Sequence, residues 1–196
     1  PTNPKLLWRK GCSSSGTCDT GFNELGQTWS TPATTATPTP ISIGTSTMAY
    51  GLPFVQASEA NGHPVLIFGG GYDAVSEDPE PPATADTMGR AVFVVDAYDG
   101  SLVWSAGNSA YSPTVPVTGM DFSVAADVLA VDRRQVGFTE RIYAADVGGN
   151  LWRIDTSGAS TSGWAVTKIA SLGGRTGSSA GRKFLFGPEV VFGATG

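Results

Sequence analysis

The residues with the most chemical potential lie between Asp132 and Glu140, inside the stretch VDRRQVGFTERIYAADVGGNLWRID that runs from Val131 to Asp155. An acidic residue opens this loop, another closes it at the ninth position, and Gly137 stands at the sixth. That is the skeleton of a short Asp-rich calcium loop, in which carboxylates supply oxygens and the glycine makes the sharp turn. Calcium takes about six to eight oxygens, and here Arg134 and Val136 fill the third and fifth positions, where side-chain oxygens belong. Asp132 and Glu140 remain, with the Phe138 carbonyl as a further oxygen. The guanidinium of Arg134, placed between the two carboxylates, can pair with either through forked hydrogen bonds, and Arg133 or Arg141 can add to the neutralisation. The expectation is a vestigial loop, Asp132, Gly137 and Glu140, ordered without an ion; calcium is the one ion it could take, with poor affinity, and no other cofactor is expected.

The remaining reactive groups point away from catalysis. Cys12 and Cys18 sit in GCSSSGTCDTG with no metal-ligand neighbours, so a small disulfide loop formed in an oxidising compartment is preferred over two free thiols. Gly177-Ser178-Ser179-Ala180-Gly181 satisfies G-x-S-x-G, but a nucleophile elbow needs a later histidine, and the single histidine, His63, precedes it. Glu77, Asp78 and Asp86 offer acid pairs for general acid and base work. They fall in DAVSEDPEPPATADTMGR, Asp73 to Arg90, which reads as a long, solubilising surface loop. Arg175, Arg182 and Lys183 read as another solvated loop. No catalytic residue is assigned, and the expectation is a non-enzymatic protein.

The elements that must position these groups are strands. With 40% hydrophobic and 15% charged residues the 196-residue chain can bury a core. Its 26 glycines and 13 prolines separate short β-branched and aromatic runs, with almost no helical periodicity. Strands are expected at Pro4 to Lys10, from about Ile41, at Pro64 to Gly69, Ala91 to Asp96, Ser101 to Ala106, Phe122 to Val131, Arg141 to Ala145, Asn150 to Asp155, Trp164 to Leu172 and Lys183 to Phe192. Hairpins turn at Asp99-Gly100 and Gly148-Gly149. They match as Gly-x-Leu (Gly100 to Leu102, Gly149 to Leu151), yet their tryptophans, Trp104 and Trp152, are offset by one residue. The pattern is all-β: roughly two four-stranded antiparallel blades of a partial, quinoprotein-like β-propeller, plus flanking strands and long loops. Since a closed ring needs about four to eight blades, residues 1–196 read as a fragment of a domain extending beyond both ends, with missing blades or other chains covering its open sides. Trp8, Trp29, Trp104, Trp152 and Trp164 read as packing between blades rather than as a sugar-stacking platform. A net charge of -5 argues against a nucleic-acid partner.

Four motifs in order, LGQTWSTP from Leu25, VLIFGGGYD from Val65, MGRAVFVVDAYDGSLVWS from Met88 and ERIYAADVGGNLWRID from Glu140, make the chain resemble the C-terminal propeller of the PilC/PilY family of type IV pilus tip-associated adhesin and biogenesis proteins. The resemblance implies an exported protein of the outer membrane, pilus tip or cell surface. It implies pilus proteins or pilins, and host surfaces, as partners, and pilus assembly and cell adhesion as the activity. In that family the Asp-rich loop ahead of YAADxxGNLWRxD binds calcium; only Asp132, Gly137 and Glu140 match it here. A fragment of a quinone-dependent dehydrogenase propeller shares the same Gly-and-Trp repeat and is the alternative reading.

Overall fold

The computed structural model describes residues 5–13, 15–34, 42–43, 46–47, 53, 55, 64–134, 137–158, 160–174 and 181–191. Ten strands are assigned among them: β1 (Ser42–Ile43), β2 (Ser46–Thr47), β3 (Val65–Gly69), β4 (Ala91–Asp96), β5 (Leu102–Gly107), β6 (Val115–Pro116), β7 (Leu129–Val131), β8 (Arg141–Ala145), β9 (Asn150–Asp155) and β10 (Ala165–Ser171). The single α-helix among the described residues is α1 (Ala74–Glu77). Two four-stranded sheets, ordered β3-β4-β5-β6 and β10-β9-β8-β7, hold the chain together, and β1 and β2 form a separate two-stranded hairpin. In each four-stranded sheet the strands lie side by side in chain order, as in a propeller blade. The expected all-antiparallel pairing fails at one place: β6 runs parallel to β5 over two residue pairs, Ala106 with Val115 and Gly107 with Pro116.

The six residues of β4 are all buried because both faces of the first sheet are covered. Val92 and Val94 point with Val65, Ile67, Trp104 and Ala106 toward Val124, Val128, Ala130, Ile142, Ala144, Ile154 and Trp164 of the second sheet and its approach. Ala91, Phe93 and Val95 point the other way, against Phe22 and the half-buried Trp8 and Leu25 of the N-terminal segment. Residues i and i+2 of a strand share a face, so this division follows directly from the sequence AVFVVD. Phe93 stacks between Phe22 and Phe68, with centroids 5.6 and 5.7 Å away. Trp104 and Trp164 meet across the sheets at 5.2 Å. The outer face of the second sheet is different. Along β9, inward residues are buried and outward ones half-buried, and most of β10 is exposed.

The one-residue offset between the two tryptophans has a structural cause. Val95 pairs with Leu102 and Val94 with Trp104, leaving Val103 as an extra residue in a β-bulge. In the second hairpin Ala145 pairs with Leu151 and Ala144 with Trp152, with no bulge.

Several expected elements take other forms. Residues 5–10 are not a strand; Trp8 instead lies against Gly100 and donates its indole N–H to the Ala97 carbonyl at 3.0 Å. Leu25 to Trp29 contributes an isolated bridge between Gln27 and Tyr72. Within Phe122 to Val131 only Leu129–Val131 is strand, because Ser123 to Ala126 run irregularly, buried under the first sheet. Residues 183–191 form no strand, and Phe192 lies outside the described residues. The loop from Asp73 to Arg90 is not merely a solvated surface loop. Asp73, Ser76, Glu77 and Asp86 are buried, and Asp73 caps α1 by accepting from the Val75 and Ser76 amides.

Candidate functional site

The loop after β7 is closed by its own side chains. Asp132 Oδ2 accepts the Gly137 amide at 2.6 Å, and Gly137 has φ +89, the left-handed turn its position demands. Glu140 Oε2 accepts the Arg134 amide at 3.0 Å, and Glu140 Oε1 receives the Arg134 guanidinium Nε. Burial acts to raise the pKa of Glu140. The Arg134 amide and guanidinium hydrogen bonds and the charges of Arg134 and Arg133 outweigh it, so the carboxyl is held below its ordinary value. Arg134 is more than half exposed, so the pair contributes only about 1 kcal/mol or less. Beside it, Arg141 and Arg153 flank Asp155 at 3.3 and 2.9 Å. Arg133, Arg134, Glu140, Arg141, Asp155 and Ser157 line a shallow polar pocket of about 220 Å³.

Set against the oxygens that calcium takes, about six to eight, the described donors of the loop are few and already engaged. Both oxygens of Glu140 are engaged by Arg134, one oxygen of Asp132 serves the turn, and the third position offers a cation. Val136, at the fifth, lies outside the described residues. Among those described, no group of three His, Cys, Asp or Glu residues is arranged to hold a metal.

The hairpin that follows is pinned by a residue the sequence reading missed. Asp146 is fully buried. It accepts the Asn150 amide at 2.9 Å, the Asn150 side-chain amide at 3.0 and 3.1 Å, and the Trp152 indole N–H at 2.8 Å. Burial raises its pKa, against the lowering effect of these donors and of Lys168. In the first hairpin Asp96 accepts the Tyr98 amide at 2.7 Å. The Val103 bulge keeps Trp104 opposite Val94, as Trp152 stands opposite Ala144, yet the buried Trp104 indole N–H finds no acceptor among the described groups. The shared signal was in view: an Asp precedes each turn glycine.

Cys12 and Cys18 form the disulfide, at the edge of the N-terminal segment, where Asp19 accepts the Gly11 amide at 3.0 Å. Of the five tryptophans, Trp104, Trp152 and Trp164 are buried, as packing residues should be. Trp29 departs from that reading: it is 59% exposed and stacked on Tyr72 at 4.6 Å. His63, Arg175, Ser178 and Ser179 lie outside the described residues.

Two ion pairs were invisible in the sequence. Glu24 is 2% exposed and clamps Arg90, with Nε to Oε1 at 2.5 Å and a second guanidinium nitrogen to Oε2 at 3.2 Å. Lys183, expected in a solvated loop, reaches Glu77 Oε2 at 2.6 Å, and Glu77, Asp86 and Asp73 lie buried where acid groups on a solvated loop were expected.

No protein-family model matches the chain. A "Type IV pilus biogenesis factor PilY1 homolog" from Xylella fastidiosa strain Temecula1 is 27% identical over 126 residues, which cover 63% of this chain and 8% of that protein. The crystal structure of the Pseudomonas aeruginosa PilY1 C-terminal domain superposes with a TM-score of 0.50 over 88% of this chain and 30% of that one, at 17% identity, a likeness of fold. The chain thus spans less than a third of the length of either protein.

Proposed function

We propose, from the premise that the relative and the fold neighbour together support a PilY1-family protein with a type IV pilus-related role, that this chain is a non-enzymatic assembly and tip-adhesion module acting through fixed interfaces. On this reading residues 1–196 are two blades of a larger propeller, displayed at the outer membrane or pilus tip. Pilus proteins or pilins, and host surfaces, are its partners.

The observation that carries the reading is the asymmetry of the two sheets. The first is covered on both faces, the outer one by the N-terminal segment, whereas most of β10 in the second is exposed. Leu172, Leu185, Phe186 and Val191 after it are at least half exposed, as Leu6 and Leu7 of the N-terminal segment are. An exposed outer strand with exposed apolar side chains in the chain beyond it is what a further blade or a partner covers. The closed loop at 132–140 completes the proposal. With Arg134 acting as a permanent internal cation, the module keeps the hairpin after the loop and does without an exchangeable ion.

Deleting the coding segment for residues 1–196 in frame is the test, with surface pili counted by electron microscopy. Loss of most pili, restored by complementation, is expected. Unchanged piliation together with unchanged attachment refutes the proposal.

A further inference from the structure

Three charged side chains fasten the 73–88 loop of the first sheet to the segment 181–187 that follows the second. Glu77 closes α1 with its side chain fully buried, and Asp86 is 2% exposed. Asp86 Oδ2 accepts the Ser123 amide at 2.6 Å, and the Asp86 amide donates to the Asp121 carbonyl at 2.8 Å. Asp86 Oδ1 receives no donor in the described structure, while its carboxyl lies within hydrogen-bonding reach of the Glu77 carboxyl. Two carboxyl groups in such contact, shut away from water, cannot both be ionised without a large cost; one proton is held between them. Lys183 Nζ stands 2.6 Å from Glu77 Oε2 and donates to the Glu77 carbonyl at 2.9 Å.

We propose that Glu77, Asp86 and Lys183 form a proton-held latch: one proton shared by the two buried carboxyl groups leaves a single negative charge to match Lys183, and loss of that proton loosens the 73–88 loop and the 181–187 segment from each other. The neighbouring polar groups among the described residues are engaged elsewhere. Tyr72, whose ring lies 5.9 Å from Lys183 Nζ, donates its hydroxyl to Asp78 at 2.9 Å. The Asp73 carboxylate is taken up by the amides of Val75, Ser76, Thr87 and Met88 and the Thr87 hydroxyl, and Asp121 Oδ1 accepts from the Asn108 side chain at 2.9 Å.

The direction of the switch follows from linkage. Burial, and then the contact with Glu77, push Asp86 up to about 7 despite the opposing Ser123 amide, whereas in water it returns to 3.8. The packed junction binds an extra proton between those values. Its advantage is therefore complete below pH 3.8, is lost as pH rises through about 7, and does not return above it. Between about pH 5 and pH 8 the open fraction rises by about a hundredfold.

Hydrogen exchange of the full chain, followed by mass spectrometry at those two pH values and corrected for intrinsic rates, reads this directly. Peptides covering 73–88 and 181–187 are expected to lose about a hundredfold in protection while β4 and β9 hold theirs. In Asp86→Asn the loss should vanish, and in Lys183→Met the 181–187 peptide should already exchange freely at the lower pH. Equal corrected protection at both pH values in the wild type, or the same pH dependence in Asp86→Asn, overturns the latch. Should Asp86→Asn fail to fold, the ¹³C-carboxyl shift of Asp86 in the wild type decides: a midpoint near 7 supports the latch, and one near 4 refutes it.

Discussion

Glu24→Ala is expected to destabilise the fold by about 3–5 kcal/mol, the cost of leaving one member of a buried ion pair without its partner. Glu24 sits in the N-terminal segment, far in sequence from Arg90, and both of its carboxylate oxygens are occupied by the guanidinium, with the Arg90 amide adding a third bond at 3.2 Å. Its backbone carbonyl also accepts the Gly89 amide at 2.6 Å. This one residue therefore fixes the segment that seals the outer face of the first sheet to the start of β4. In the alanine variant the Arg90 side chain, 13% exposed, keeps the Thr87 carbonyl at 3.0 Å and little else. Glu24→Gln, which keeps the acceptor and loses the charge, should cost clearly less. Replacing both partners with leucine should recover much of the loss, because a buried pair exchanged for apolar side chains is often close to neutral. Urea unfolding followed by tryptophan fluorescence measures all three. An alanine variant within about 1 kcal/mol of wild type means the pair is solvated and the N-terminal segment is not held as described.

Gly89→Ala should be at least as damaging. Gly89 has φ +79, and a Cβ there would stand 2.2 Å from the Gly71 carbonyl oxygen and 2.7 Å from the Ser123 Cβ. The left-handed conformation alone costs an L-residue about 1–2 kcal/mol, and the clash is with backbone, which has no rotamer to change. The same crossing carries the Gly70 amide to the Ala91 carbonyl, the Gly26 amide to the Gly70 carbonyl and the Val124 amide to the Gly89 carbonyl. Four chain segments thus meet where any side chain would separate them. A loss above about 4 kcal/mol, or failure to fold, is expected. As a comparison, Gly163→Ala has open space around its Cβ and should leave stability within about 0.5 kcal/mol of wild type.

What the sequence made legible was whatever a period of two and a turn glycine can encode. AVFVVD, RIYAA and NLWRID became strands with nearly the expected bounds because alternation and hairpin glycines are local signals. The four-strand grouping followed from them. The two-residue β6 carries no periodic signal and its parallel pairing none at all. Pro4 to Lys10 reads as a strand on composition, yet Trp8 is spent on capping the Asp99-Gly100 turn. The buried acids were misjudged for a related reason. DAVSEDPEPPATADTMGR looks solvated because charge and proline usually face water, and only the fold shows that Asp73 is consumed by amides and that Lys183, more than a hundred positions away, meets Glu77. Within the ion-type loop, by contrast, one contact was readable from residue types, the pairing of Arg134 with Glu140. An arginine at a ligand position beside two carboxylates has few satisfied arrangements, and the structure adopts one of them.

Calorimetric titration of the purified chain with calcium tests the central claim most directly, that the Asp132 to Glu140 loop is closed by its own arginine and the module works without an exchangeable ion. The account predicts no binding heat at micromolar calcium and an unchanged thermal midpoint with calcium or with chelator, with Arg134→Ala losing about 1 kcal/mol or less of stability. Micromolar binding that disappears in Asp132→Ala would contradict it.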